Sequence, residues 1–293
     1  MNLLIYIVAY PFIWFVSRLN FYLLYKLSDI TYYFLYYVIS YRKKTVRNNL
    51  KLAYPKIEFV KRKEIEKKYY RHLSDIFLES FKSMNIKRNE LEKRYTFQNP
   101  ELLKQIYNQN QDLILIAGHY ASWEWVFALN NHTDYRVNAI YKKLSNKYFD
   151  KWAKKNRSQY GGNLIATKET FREIHKHSQK KELNLYGFAS DQSPKKSKAS
   201  HWMKFLNNYV PVYIGAEVIA KKYNMAVVYL EIEKVGRGYY KTKFSLITDN
   251  PKKFKNYEIT EKFMKKLEFQ INKKPEFYTW THKRFKHRKI NSE

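Results

Sequence analysis

The stretch LILIAGHYASWEW, Leu113 to Trp125, sets a histidine and a carboxylate where an apolar run stops. His119 follows Gly118 directly, and Glu124 follows in H-x-x-x-x-E spacing between two tryptophans. Five steps along an ideal helix rotate by about 140°, so two helical residues at this spacing cannot share a face. They meet if His119 lies in the loop after a strand and Glu124 in the first turn of the next helix. A carboxylate so placed holds one ring nitrogen, fixes the tautomer and raises the basicity of the other. The chain has no cysteine and no G-x-S-x-G elbow, so no covalent nucleophile is indicated. A histidine base activating a hydroxyl of the substrate itself fits better. Taken alone, the pair equally fits a buried His–Glu hydrogen bond that only supports structure. The other histidines add little: His175 and His177 lie on a solvated helix face, and His72 and His201 have no clear partner. No metal-ligand spacing occurs, and no metal or organic cofactor is called for.

The elements around the pair read as alternating strands and helices. DLILIAG has the length and branched content of a fully buried strand, and Gly118 lets the chain turn sharply after it. RVNAIYK and LNLYGFAS are two more strands, separated by helical stretches around Tyr148–Tyr160 and Lys168–Gln179. An amphipathic helix precedes them between Lys56 and Met84, and a short one spans Glu101–Asn108. A helix from Ile214 to Tyr223 leads into a hairpin turning at Gly236 and Gly238, and Glu258–Ile271 is a late amphipathic helix. This alternation predicts an α/β fold with a mostly parallel central sheet and helices on both faces. In such a sheet reactive groups gather beyond the carboxyl ends of the strands, where His119 falls.

The N-terminus is oily. Leu3 to Leu24 is nearly the roughly 20 residues a bilayer span needs, interrupted by Arg18 and Asn20. Tyr10, Trp14, Tyr22 and Tyr25 suit an interfacial position, and Ile30–Ile39 is too short to span alone. The start lacks the charged region and cleavage site of a secretory signal, so it is expected to be retained. Two buried helices of a soluble core would also fit. The favoured reading is a membrane-anchoring helical segment, residues 1–40, attached by one span or a shallow hairpin. Arg42, Lys43, Lys44, Arg47 and Lys51 follow at once, which puts residues 41–293, one catalytic domain, on the cytoplasmic side. Lys+Arg outnumber Asp+Glu by 56 to 26, a formal charge of +30, which asks for an anionic partner: nucleic acid, a bilayer surface, an acidic protein or a phosphorylated ligand.

GHYASWEW resembles the signature of the bacterial late lipid A biosynthesis acyltransferases, the lauroyl/myristoyl transferases, which share H-x-x-x-x-[DE] with the glycerolipid acyltransferases. RKKTVRNNLKLAYP resembles the basic segment that follows their anchor. IYKKLSNKYFDKWAKKNRSQYGGNLI resembles their segment with Asn146 and Arg157 before a glycine. FASDQSP resembles their Asp-Gln motif, and TWTHKRFK their terminal W-x-H-x-R-[WF]-K signature. The matches run in order from about Arg42 to Lys286. The resemblance implies transfer of a fatty acyl chain from an acyl carrier protein thioester, or from CoA, to a hydroxyl of a lipid A precursor at the bacterial inner membrane. His119 would be the general base, Glu124 its orienting acid, and Arg157, Asp191, Gln192 and Asn146 substrate-binding residues. Backbone N–H groups after Gly118, or Arg157, would serve the oxyanion; Arg157 could equally hold a phosphate, and Asp191 could simply cap a turn. The expected partners are the carrier or CoA donor, an anionic glycolipid acceptor and the membrane, with no nucleic acid. Trp280, His282, Arg284 and Lys286 are expected near the domain base or the membrane, with no catalytic step. Lys142 and Lys143 stand where the family usually has Arg-Pro, which leaves acceptor and chain length open. Rival readings are the same chemistry on a lyso-aminolipid or another glycolipid, and a basic nucleic-acid-binding protein.

Overall fold

A computed structural model describes residues 2–289; the outer ends of the two expected segments, residue 1 and residues 290–293, lie outside it. The oily N-terminus divides where the sequence first turns polar. The first helix, α1 (Asn2–Arg18), ends before Asn20, whose side chain accepts from Leu23 N at 2.9 Å and so caps a second helix, α2 (Phe21–Tyr33). An Asn at this position satisfies a backbone donor that a continuous helix would have satisfied itself, so the run is cut in two. The last turn of α2 widens into a π-helical stretch, Phe34–Val38. A 17-residue α1 is about 25 Å long at 1.5 Å per residue, short of a hydrocarbon core of about 30 Å. Among the described residues no helix is long and apolar enough to cross a membrane. The expected spanning anchor is therefore not supported. Instead α1 and α2 pack on the long amphipathic α4 (Phe59–Lys82), with Ile13, Val16 and Leu24 buried against Leu78 and Phe81. Ser28 donates to Asp75 at 2.8 Å. Between them runs α3 (Lys43–Ala53).

After α5 (Arg88–Arg94), β1 (Tyr95–Phe97) and α6 (Glu101–Asn108), the chain enters the sheet centre with β2 (Leu113–Ala117). Then come β3 (Arg136–Tyr141), α7 (Lys147–Ser158), β4 (Asn163–Ala166), α8 (Thr170–His177) and β5 (Asn184–Ala189). An antiparallel pair, β6 (His201–Phe205) and β7 (Asn208–Val212), precedes α9 (Gly215–Tyr223), the hairpin β8 (Ala226–Gly236) and β9 (Tyr239–Thr248), and α10 (Glu258–Lys273). The seven-stranded sheet has the order β1-β9-β8-β2-β5-β3-β4. It is parallel except where β9 folds back on β8. The expected mostly parallel α/β sheet is present. β2 is the central strand, and Leu113 to Ile116 are all buried, as its unbroken apolar run requires. β2 and β5 pair in parallel from Leu113↔Leu185 to Ala117↔Ala189, so both strands stop at the same level.

Candidate active site

That register builds the site. Two residues past the end of β2 stands His119, and two residues past the end of β5 stands Asp191. One Asp191 oxygen, Oδ1, faces both the His119 backbone N–H at 3.0 Å and ring Nδ1 at 2.7 Å. The carboxylate is buried, while the imidazole side chain stays 22% exposed. Nδ1–H therefore donates to Asp191, and Nε2 carries the lone pair; Gln192 Nε2 lies 3.4 Å from it. Burial works against a charged His119 ring, but the Asp191 charge, its hydrogen bond and then the Glu124 charge outweigh burial and the opposing Arg157. The net pKa lies above the ordinary imidazole value. Burial works against the Asp191 anion too, yet His119 holds its carboxyl below the usual range.

Glu124 is placed as its spacing suggests, first in a 3-10 turn spanning Glu124–Asn131. Its partner differs from expectation. Both carboxylate oxygens face Arg157, Oε2 from Nε at 3.1 Å and Oε1 from Nη2 at 2.6 Å. A guanidinium in the last turn of α7 matches both lone-pair directions at once, a pairing that imidazole cannot equal. So Asp191, not Glu124, orients the histidine; Glu124 acts on it through charge and holds Arg157 beside it. Asn146 stays outside the cluster. It caps α7, accepting from Tyr148 N at 3.0 Å, and donates to Asn2 O at 3.0 Å. Asn146 caps the start of α7 and Arg157 lies in its last turn, so about 16 Å along the helix axis separates them at 1.5 Å per residue.

The turn carrying His119 is pinned by a late segment of the chain. Thr279 N and Oγ1 donate to His119 O at 3.1 and 2.8 Å, and Ala121 N donates to Phe277 O at 2.9 Å. Tyr120 pairs with Tyr278. The sharp backbone falls at Ala121, with φ of 51°, while Gly118 serves close approach. A Cβ there would sit 2.5 Å from Leu267 Cδ1 on α10. Because the N–H groups of His119, Tyr120 and Ala121 are all spent on internal acceptors, they are not free donors for an oxyanion. Trp123 lies edge-on to His119, with centroids 5.5 Å apart, and Trp125 is buried with its Nε1 on Ser83.

Of the C-terminal motif expected near the domain base or the membrane, His282 and Arg284 instead bond to Ser193 in the loop after Asp191. Asn49 on α3 donates to Trp280 O and His282 O, both at 2.7 Å. Ser193 N donates to His282 Nε2 at 3.2 Å, and Arg284 Nη1 donates to Ser193 Oγ at 3.1 Å. These side chains lie behind the Asp191 loop.

The family model described as bacterial lipid A biosynthesis acyltransferase matches residues 3–287. The chain belongs to that family. It is therefore an acyltransferase. A comparison with curated proteins found no significant match. In this acyltransferase family member, His119, Asp191, Gln192, Glu124 and Arg157 meet as a histidine, two carboxylates, an amide and a guanidinium at the carboxyl edge of the sheet.

Proposed function

We propose that the protein transfers a fatty acyl chain from a thioester, on acyl carrier protein or CoA, to a hydroxyl of a lipid A precursor. The observation that carries this is the 2.7 Å contact between His119 Nδ1 and buried Asp191, which leaves Nε2 as a proton acceptor at the sheet edge. Nε2 takes the hydroxyl proton as the oxygen attacks the thioester carbon. The C–S bond then breaks, and the sulfur leaves with the proton held by the imidazolium. Asp191 keeps the tautomer and stabilises the imidazolium as it forms. Arg157, held by Glu124, is the donor within the cluster for the developing oxyanion or for an acceptor phosphate. Gln192 would hand its place at Nε2 to the acceptor hydroxyl.

The same reading places the protein at the bacterial inner membrane, on the cytoplasmic side. Support comes from α1 and the π-helical stretch, which present bare apolar side chains: Val8 is 72% exposed and Val38 70%. Exposed apolar surface on this scale marks an interaction site, and helices too short to span suit the interface plane. The +30 charge would add attraction to an anionic leaflet, a phosphorylated acceptor and an acidic carrier. The test is incubation of purified enzyme with a labelled acyl-carrier thioester and a lipid A precursor in vesicles, with a lyso-aminolipid in a parallel arm. The expected result is an added acyl ester on the lipid A precursor. Acylation of the lyso-aminolipid alone would reject the acceptor.

A further inference from the structure

We propose that Arg284 is a positioning residue for acyl transfer: the standing counter-charge that keeps the Asp191 carboxylate ionised and its loop fixed against His119. The inference rests on His119 acting as the base. A base must be neutral before it reacts, so in the resting enzyme His119 gives Asp191 a hydrogen bond but no positive charge. A carboxylate side chain 2% exposed is then a buried anion that needs a cation from elsewhere.

Arg284 is the buried cation behind it. Its side chain is 1% exposed and, among the described residues, makes no ion pair within 4.0 Å. Nη1 donates to Ser193 Oγ at 3.1 Å and to Pro211 O at 3.2 Å, while among the described residues Nε and Nη2 have no partner within 3.5 Å and the Tyr278 hydroxyl is the polar group beside them. A guanidinium buried with idle donors costs stability, so a role outside folding accounts for it better than packing does. Its position supports that role. Ser193 lies two residues beyond Asp191, and it donates from Oγ to the Arg284 carbonyl and from N to His282 Nε2. The C-terminal segment thus holds the loop through both polar groups of Ser193, N and Oγ. His282 accepts in that bond, so it is neutral, and burial pushes its pKa down to about 4. The buried Tyr278 hydroxyl lies under the influence of both charges: burial raises its pKa first, Asp191 raises it further and Arg284 opposes. The charged or titratable groups around Asp191 are thus His119, Tyr229, Tyr278, His282 and Arg284.

The experiment measures kcat, KM for the acyl donor, the pH profile of kcat/KM and Tm for the full chain with Arg284→Gln, Arg284→Lys and Tyr278→Phe. Losing the cation lets the His119–Asp191 pair take up a proton more readily, so the acidic limb moves to higher pH. For Arg284→Gln we expect kcat to fall by about tenfold or more with KM nearly unchanged, and the limb to rise by about half a unit or more. Arg284→Lys restores the limb. Tyr278→Phe keeps the ring packing, folds, and shifts the limb the same way by less. It carries the test should Arg284→Gln fail to fold. A wild-type profile in the folded variants, with activity tracking only the folded fraction, would overturn the proposal. If His119→Ala abolishes transfer while these profiles stay wild-type, this inference fails and the base assignment stands; if His119→Ala stays active, the base assignment fails first.

Discussion

At the scale of single residues, the site divides into two hydrogen-bonded pairs that the H-x-x-x-x-E spacing runs together. His119 belongs with Asp191, and Glu124 with Arg157. The difference has measurable consequences. Because His119 titrates above the ordinary imidazole value, the acidic limb of kcat/KM should lie above that value. Asp191→Asn removes the strongest influence opposing burial, so the limb should fall to lower pH and kcat should drop on the order of 10²–10⁴-fold. Glu124→Gln should move the limb less, but loosen Arg157 and weaken transfer. Stability follows the same signs. The depressed carboxyl of Asp191 contributes stability present above its unfolded pKa and lost as pH falls through its folded one. The raised imidazole contributes stability present below its unfolded pKa and lost as pH rises through the folded value. Urea unfolding of wild type and Asp191→Asn across this window would show whether the variant loses that pH dependence.

At the scale of elements, the strand end was legible because an apolar run can only stop where the sheet stops, and Gly118 marks the place. The partner of His119 was not legible locally. Asp191 is distant in sequence and arrives through the adjacency and in-step register of β2 and β5, which no spacing rule encodes. Asn146 shows the opposite case: its position looked functional, while its oxygen serves the backbone of α7. Asn146→Ala should therefore cost about 1 kcal/mol of stability and leave kcat for transfer nearly unchanged, as thermal unfolding and turnover of the same preparation would show. Gly118 should be intolerant for a reason unrelated to turning. Gly118→Ala forces Leu267 aside and should cost about 1–3 kcal/mol. Leu267→Ala in the same chain should recover part of the loss that Gly118→Ala causes alone, a coupling that a double-mutant cycle measures.

At the scale of the whole molecule, hydropathy alone favoured a spanning anchor because it sums residues along a line. It could not show that Asn20 ends one helix and begins the next, or that one side of each helix is used on α4. What survives is an apolar surface beside a very basic body. On the proposed reading that surface would rest on a bilayer. Vesicle flotation should show binding that rises with anionic lipid and weakens with salt. Replacing exposed Ile7, Val8 and Phe15 with serine should reduce it, and alkaline carbonate should strip the protein from membranes. Retention in the pellet would mean a deeper insertion than these helices allow.

In the proposed reaction a neutral His119 removes the proton of the attacking hydroxyl, and single-turnover transfer from a preloaded acyl thioester isolates that step from binding and release. His119→Ala should bind the donor as wild type does and transfer on the order of 10²–10⁴-fold more slowly. Transfer by His119→Ala within about twofold of wild type, at any pH between about 6 and 9, would contradict it.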